Sequence, residues 1–152
     1  MNPTPMSSAD CTAAATRLAQ YFETLSPQSV QDVALYYAAD ARFKDPFNDV
    51  RGIAAIRQIF AHMFAALEHP HFVVTGQVVQ GHQCFLTWEF RFGFKSFQRG
   101  AQQVILGASQ LVFSESGLVT LHRDYWDAAE ELYEKLPLVG GLMRWLKRRA
   151  NS

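Results

Sequence analysis

The sequence has few of the residues that mark several common protein classes. It contains two cysteines, Cys11 and Cys84, and they have the spacing of neither a metal site nor a redox pair. We therefore expect two free thiols, as is usual in a reducing compartment. The first residues show no basic segment followed by an apolar one, so no signal peptide is indicated and we expect a cytoplasmic protein.

Long apolar runs and an excess of one charge are also missing. No run approaches the roughly 18 apolar residues of a membrane span, so we expect no integral membrane segment. Fourteen basic residues balance 14 acidic residues. A neutral chain has no overall attraction for nucleic acid, and we expect none as a partner. Four histidines lack metal-ligand spacing, so we expect surface positions and no bound metal for His62, His69, His71 and His82.

Apolar and aromatic residues are abundant, at 49% and 13% of the 152 residues. A chain of this length and composition forms one domain with a substantial core. The Pro- and Ser-rich start is typical of disorder. We therefore expect a disordered segment at 1–10, a folded domain at 11–127 and a helical tail at 128–152.

The first half of the chain has helical periodicity. Apolar spacing predicts helices at 11–25, 27–37 and 52–67. Ser26-Pro27 is a start signal for the second helix, and His69-Pro70 is a stop signal for the third. A short strand is predicted at 41–44, between the second and third helices.

The second half changes to the alternation of β-strands, predicted at 71–80, 84–94, 104–114 and 118–126. Helices placed on one face of an antiparallel sheet define an α+β fold. A bent sheet closed by three helices would form a cone-shaped barrel with a pocket. Either as pocket walls or as plain core, we expect inward positions for Phe60, Trp88, Phe90, Phe92, Ser109 and Trp126.

Two positions could place a carboxylate in that pocket. Asp45 ends the short strand and is followed by Pro46, so it could be a general base, or it could simply cap the turn. His122 and Asp124 lie on one face of the last strand, about 7 Å apart at Cα. They could share a proton or orient a water, or they could form a buried network that specifies the fold.

This element order, with Ala38-Ala39-Asp40-Ala41, Asp45-Pro46 and the glycine-led helix at 52–60, resembles the nuclear transport factor 2-like superfamily. That superfamily includes ketosteroid isomerases, SnoaL-type polyketide cyclases, limonene epoxide hydrolases and scytalone dehydratase. The resemblance covers about 12–127, and its best local match is to the ketosteroid isomerases. It implies a homodimer through the convex sheet face, which carries Thr87, Glu89, Arg91 and Tyr125.

The resemblance also implies roles for residues. In the isomerases the Asp of Asp-Pro is the general base, and a first-helix tyrosine 24 positions earlier donates to the enolate oxygen. Tyr21 precedes Asp45 by 24 positions. Ser109 stands where the isomerases have a protonated Asp, whereas the deep acid of the SnoaL-type cyclases resembles Asp124. Epoxide hydrolysis needs an Asp-Arg-Asp set and ranks last, because Arg91 and Arg123 are expected to face outward.

These observations imply a protein that binds a small hydrophobic carbonyl compound. It would act without a cofactor as an isomerase, cyclase or dehydratase, with Asp45 or Asp124 as base, His122 as its partner and Tyr21 as donor. The alternative is a non-catalytic binding or dimeric assembly module. The basic amphipathic segment at 142–149 is expected to cover the cone mouth or a neighbouring subunit, since about two turns are too short to anchor a membrane alone.

Overall fold

The computed structural model describes residues 6–96, 99–131 and 139–150, and it has the predicted α+β architecture. Of the predicted disordered segment at 1–10, residues 8–10 belong to α1, and residues 1–5 lie outside the described residues. Residues 132–138 of the predicted helical tail also lie outside them. The elements are α1 (Ser8–Glu23), a 3-10 helix (Ser29–Leu35), β1 (Tyr37–Lys44), β2 (Asp49–Arg51), α2 (Ile53–Ala66), β3 (Leu67–Gln80), β4 (Gln83–Phe94), β5 (Gln103–Phe113), β6 (Val119–Tyr125), α3 (Ala128–Glu131) and α4 (Val139–Ala150).

The strands form one open sheet in the order β2-β1-β6-β5-β4-β3. The four long strands pair antiparallel, as the alternation predicted. β1 pairs parallel with β6, placing Phe43 beside His122. The sheet is therefore mixed, and the parallel pairing brings residues of the first third of the chain next to its last strand.

The second predicted helix was wrong in type and length. Val30 and Val33 are buried and three residues apart, a spacing that suits a 3-10 turn as well as an α-helix. The helix begins at Ser29 with Gln28 as N-cap, so the start predicted at Ser26-Pro27 is two residues early. The Ser26 hydroxyl accepts the Ser29 N–H at 3.1 Å in the preceding turn. Tyr37 lies in β1, opposite Val119 of β6.

The third predicted helix, α2, ends at Ala66, within one residue of its predicted end, but the predicted stop signal is not what ends it. His69 and Pro70 lie inside β3. β3 is an edge strand, where a proline without an N–H is tolerated. His69 has a φ of +48°, and the pairing with β4 is irregular between Glu68 and His71. The strand absorbs the proline through this irregularity.

Helix α1 covers one end of the sheet's inner face. Ser7 and Asp10 form a reciprocal capping box that fixes its first turn. Its buried side includes Cys11, which lies close to Cys84 of β4. Both thiols are free, and burial raises the pKa of Cys84 to about 12. The thiols therefore behave as core residues.

The opposite side of the sheet, called here the outer face, carries exposed apolar side chains. Exposure ranges from 39% for Phe85 to 65% for Val78. Arg91 pairs with Glu89 at 2.6 Å, and the Arg123 guanidinium lies over the Tyr125 ring. The predicted outward orientation of both arginines agrees with these contacts.

Candidate functional site

A cavity of about 350 Å³ lies between α2 and the inner face of the sheet. Its walls are mostly aromatic or aliphatic, and four polar residues interrupt them. The lining residues are Phe43, Asp45, Phe47, Asn48, Ile59, Phe60, His62, Met63, Ala66, Leu67, Phe72, Trp88, Phe90, Phe92, Phe94, Ile105, Asp124 and Trp126. This volume suits a small organic molecule.

Aromatic rings from β3 and β4 form a continuous wall. Phe72 stacks on Phe90 at 4.6 Å between ring centroids, and Phe90 stacks on Phe92 at 5.1 Å. The predicted inward positions of Phe60, Trp88, Phe90, Phe92 and Trp126 all line the cavity. Whether they hold a ligand stays a prediction.

The Trp88 ring lies against the backbone of Gly107, its pairing partner on β5. A Cβ atom at position 107 would come within 2.4 Å of the indole ring. Carbon atoms in contact are normally separated by about 3.5–4.0 Å. The missing side chain of Gly107 therefore lets the indole ring pack directly over the β5 backbone.

A second, much smaller chamber of about 20 Å³ adjoins the cavity, large enough for about one water molecule. It shares Asp124 and Trp88 with the main cavity, so the Asp124 carboxyl lies where the two meet. The chamber is lined by Phe22, Phe60, Phe72, Val74, Trp88, Ser109, His122 and Asp124.

A chain of buried hydrogen bonds converges on Asp124. The Trp88 indole N–H donates to Ser109 Oγ at 2.9 Å, and Ser109 Oγ donates to Asp124 Oδ1 at 2.5 Å. His122 Nε2 lies 2.6 Å from the same Oδ1. Tyr37 Oη lies 2.7 Å from His122 Nδ1. The predicted His122–Asp124 proximity is therefore present, and Ser109 joins it.

One set of donors and acceptors satisfies every contact of this network when Asp124 is a carboxylate and His122 is neutral. A carboxylate at Asp124 only accepts hydrogen bonds, so His122 donates through Nε2–H. A neutral imidazole then has an acceptor at Nδ1, and the Tyr37 hydroxyl donates to it. Burial, with the nearby Asp124 charge, raises the pKa of Tyr37 well above its usual value. Tyr37 is therefore a protonated donor at neutral pH.

The other carboxyl oxygen, Asp124 Oδ2, makes no hydrogen bond with any residue that the structure describes. It is also not a buried atom, since within the described ranges the single buried side-chain polar atom lacking a partner is Arg57 Nε. Side-chain exposure is 15% for Asp124 and 5% for His122. Asp124 thus has one oxygen held by Ser109 and His122 and one without a partner in the described ranges, and its side chain lines the cavity.

Asp45 lies at the cavity rim and is occupied by its own turn. Its Oδ1 accepts the N–H of Phe47 at 2.8 Å and of Asn48 at 2.6 Å. The Asn48 side-chain amide donates to both carboxyl oxygens at 3.1 Å. Phe47 packs edge-on against Trp126 at 5.7 Å. The contacts of Asp45 are therefore those of a residue that caps its own turn. The turn in addition holds Phe47 at the cavity mouth.

Tyr21 is not brought to the cavity. Its hydroxyl donates to the Ser29 carbonyl at 2.8 Å, and its ring stacks on Tyr36 at 4.0 Å. Burial raises the pKa of Tyr21 above its usual range. Tyr21 is absent from the lining of both chambers, so its predicted role as an oxyanion donor gains no support from this placement.

Sequence reasoning missed Tyr37, because the apolar spacing assigned it to a helix face. The sequence held no signal for it, because apolar and polar residues alternate only in the second half of β1, at 41–44. Of the predicted surface histidines, His62 reaches the cavity rim and all four are exposed. No group of three or more His, Cys, Asp or Glu side chains comes together as a metal site within the described parts of the chain.

Solved structures of similar fold have been assigned varied activities. A candidate SnoaL-like polyketide cyclase from Jannaschia sp. has a TM-score of 0.69 and 15% identity, covering 86% of this chain and 93% of that chain. A protein of ketosteroid isomerase-like fold from Catenulispora acidiphila, in complex with trimethylamine, has a TM-score of 0.65 and 18% identity. The match covers 78% of this chain and 88% of that chain. An LEH-like epoxide hydrolase from M. tuberculosis has a TM-score of 0.64 and 12% identity, and the match covers 81% of this chain and 86% of that chain.

At these identities the likeness shows the fold alone. No curated protein sequence matches the chain. A family model does match: the SnoaL-like domain, over residues 18–122. The match extends from α1 to His122 of β6 and so includes Tyr37, Trp88 and Ser109. The chain therefore belongs to the SnoaL-like domain family.

Proposed function

We propose that the cavity binds a small hydrophobic carbonyl compound and that Asp124 moves a proton beside the carbonyl group. The observation that carries this proposal is the Asp124 side chain in the wall of an apolar cavity, with an Oδ2 that has no partner in the described ranges. A carboxylate in an apolar site is well suited to general acid–base work on a bound carbonyl compound.

The step needs no cofactor. Asp124 Oδ2 accepts a proton from the carbon next to the carbonyl, and the electron pair of that C–H bond moves to form an enolate. The proton then returns to another carbon, or the enolate reacts onward, which covers isomerase, cyclase and dehydratase outcomes. His122 and Ser109 keep their hydrogen bonds to Oδ1, so the acceptor oxygen stays oriented.

The enolate oxygen requires a hydrogen-bond donor. Trp126 lines the cavity, and its indole N–H makes no hydrogen bond with a residue in the described ranges. It lies two residues from Asp124, about 7 Å away along the strand. We therefore assign the donor role to Trp126 in place of Tyr21.

Non-catalytic ligand binding is the second candidate. The observation that favours it is the placement of Tyr21, whose hydroxyl is committed to Ser29 outside the cavity. The apolar walls would still bind a hydrophobic compound in that case. The two candidates differ only in whether bound ligand exchanges protons.

We also propose a homodimer through the outer face. Exposed apolar side chains there are Val78, Phe85, Leu106 and Tyr125. Apolar side chains grouped on one face commonly mark an association surface. This proposal is independent of the reaction.

Binding and proton transfer can be measured with a panel of hydrophobic cyclic ketones and the matching alcohols. Quenching of tryptophan fluorescence reports binding, and proton NMR in D₂O reports exchange at the carbon beside the carbonyl. We expect binding of both sets and exchange of ketones only. Asp124→Asn should retain binding and lower the exchange rate about 100-fold or more.

Asp40→Asn is the matched control, because Asp40 is an exposed aspartate of β1 that lines neither chamber. Loss of exchange in Asp45→Asn with normal exchange in Asp124→Asn would assign the base to Asp45 and refute our choice. Binding without any exchange in the unchanged protein would establish the non-catalytic candidate. Absence of binding across the panel would refute both.

A further inference from the structure

Helix α4 differs in charge from the rest of the chain. Its 12 residues include four cations and no acid: Arg144, Lys147, Arg148 and Arg149. The remaining residues have ten basic and 14 acidic side chains, so the positive charge is concentrated in this helix. Arg144 and Arg148 are four positions apart and share one side of it.

The opposite side of α4 is apolar and exposed. Leu142, Trp145 and Leu146 recur at helical spacing, and their exposure is 56%, 46% and 46%. None of the described α4 side chains lines the cavity, so these three do not form the predicted cover over its mouth. Arg149 lies on this side too, seven positions after Leu142, and its guanidinium is 5.2 Å from the centre of the Trp145 ring.

We propose that α4 lies flat on an anionic lipid bilayer. Leu142, Trp145 and Leu146 would enter the boundary between headgroups and acyl chains, and the arginines would contact lipid phosphates. This surface matches both sides of the helix, since it offers apolar and anionic chemistry at adjacent depths. A tryptophan next to arginines is suited to that depth, because both side chains combine an apolar body with a polar end.

Charge and length distinguish the bilayer from other occupants. A second copy of α4 would bring like charges together, and nucleic acid would leave the apolar side uncovered. A helix of 12 residues is about 18 Å long. Within the described ranges, no helix is long and apolar enough to cross a membrane. The attachment is therefore peripheral and reversible.

The test is co-sedimentation of the full chain with phosphatidylcholine vesicles, with and without phosphatidylglycerol. We expect binding to the anionic vesicles only, weakening as salt is raised. Trp145 fluorescence should shift to shorter wavelength on binding, whereas Trp88 is already buried in the core. Absence of binding to anionic vesicles, or equal binding to both compositions, would overturn the proposal.

Two double variants separate the two sides of the helix. Arg144→Gln with Arg148→Gln should reduce partitioning about 30-fold, since each cation near an anionic surface contributes roughly fivefold. Leu142→Gln with Leu146→Gln should reduce it at least as much, because it removes apolar area from the boundary region. The control is Leu35→Gln, on an equally exposed leucine (60%) of the 3-10 helix.

Circular dichroism and thermal unfolding confirm that each variant is folded before it is compared. Retention of binding by either α4 variant, or equal loss in Leu35→Gln, would show that another surface holds the vesicle. Size-exclusion chromatography without vesicles tests self-association. If either α4 variant elutes at a different volume from the unchanged protein, the helix mediates self-association and the bilayer proposal is refuted. Ketone binding should be unchanged throughout, which separates this proposal from the proposed function.

Discussion

At the scale of single residues, Tyr37 is the group that sequence reasoning could not find. Alternation along the last strand correctly placed His122 and Asp124 on one inward face, because that pattern depends only on neighbours in sequence. The Tyr37–His122 contact joins positions 85 residues apart. No local pattern encodes such a contact, so the third member of the network emerged only with the fold.

Tyr37→Phe should disturb the reaction through His122 without touching the ligand. His122 Nδ1 would lose its donor, so the imidazole would be freer to change tautomer or to take up a proton. We expect kcat to fall about tenfold with little change in KM, and the pH profile of kcat to shift, which is the size and kind of effect that proton positioning produces. Nitrogen NMR of the His122 ring measures the tautomer directly.

The matched control is Tyr36→Phe, since Tyr36 stacks on Tyr21 and lines neither chamber. An unchanged ring spectrum and pH profile in Tyr37→Phe, with only reduced stability, would make Tyr37 a structural residue. Leaving Nδ1 unpaired in the core should in any case cost about 1–3 kcal/mol of unfolding free energy.

At the scale of elements, the turn after β1 controls the cavity mouth. Asp45 caps two backbone N–H groups of the turn, and the turn holds Phe47 against Trp126. Asp45-Pro46 was predicted to end the short strand, and β1 does end at Lys44. Whether the Asp45 carboxyl faced a ligand or its own backbone depended on the turn conformation, which residue types alone do not specify.

Asp45→Ala should loosen this turn and lower the free energy of unfolding by about 0.5–2 kcal/mol, as the loss of a side-chain cap at a helix N-terminus does. Asp45→Asn should lose less, because an amide oxygen still accepts from the Phe47 and Asn48 N–H groups. Urea unfolding measures both. Equal loss in the two variants would mean that the negative charge matters rather than the capping oxygen.

Element types followed periodicity where an element was long. α1, α2 and the four long strands lie close to their predicted positions. The 3-10 helix did not follow, because a seven-residue element offers too few positions to separate periods of 3.0 and 3.6. β1 was predicted only in its second half, because burial does not alternate regularly over Tyr37–Asp40. The parallel pairing of β1 with β6 could not be anticipated either, since it is determined by packing across the whole chain.

At the scale of the whole molecule, the sheet separates two surfaces of different character. The inner face holds the cavity, and the outer face bears exposed apolar side chains around Leu106. The Leu106 backbone N–H donates to Glu131 of α3 at 3.3 Å, so that helix lies beside β5 where the pairing with β6 has ended. A partner on the outer face would leave the cavity contents unaffected.

Leu106→Gln should weaken the proposed dimer about tenfold or more, since a 57% exposed leucine at the centre of an interface would lose its burial. Light scattering across a concentration series measures the dissociation constant. Leu35→Gln serves again as the control, because Leu35 lies outside the sheet. A monomer at all concentrations in the unchanged protein would disprove the dimer.

Gly107 has a consequence for how sequences with this fold can diverge. Because the Trp88 ring occupies the space of a Cβ at position 107, neither position can change freely while the other stays. A chain that gains a side chain at 107 must lose most of the indole at 88 or push it into the chamber. The residue types at 88 and 107 are therefore coupled by size. In other members of the family, this pair of residues should indicate whether the cavity is open or filled by a side chain.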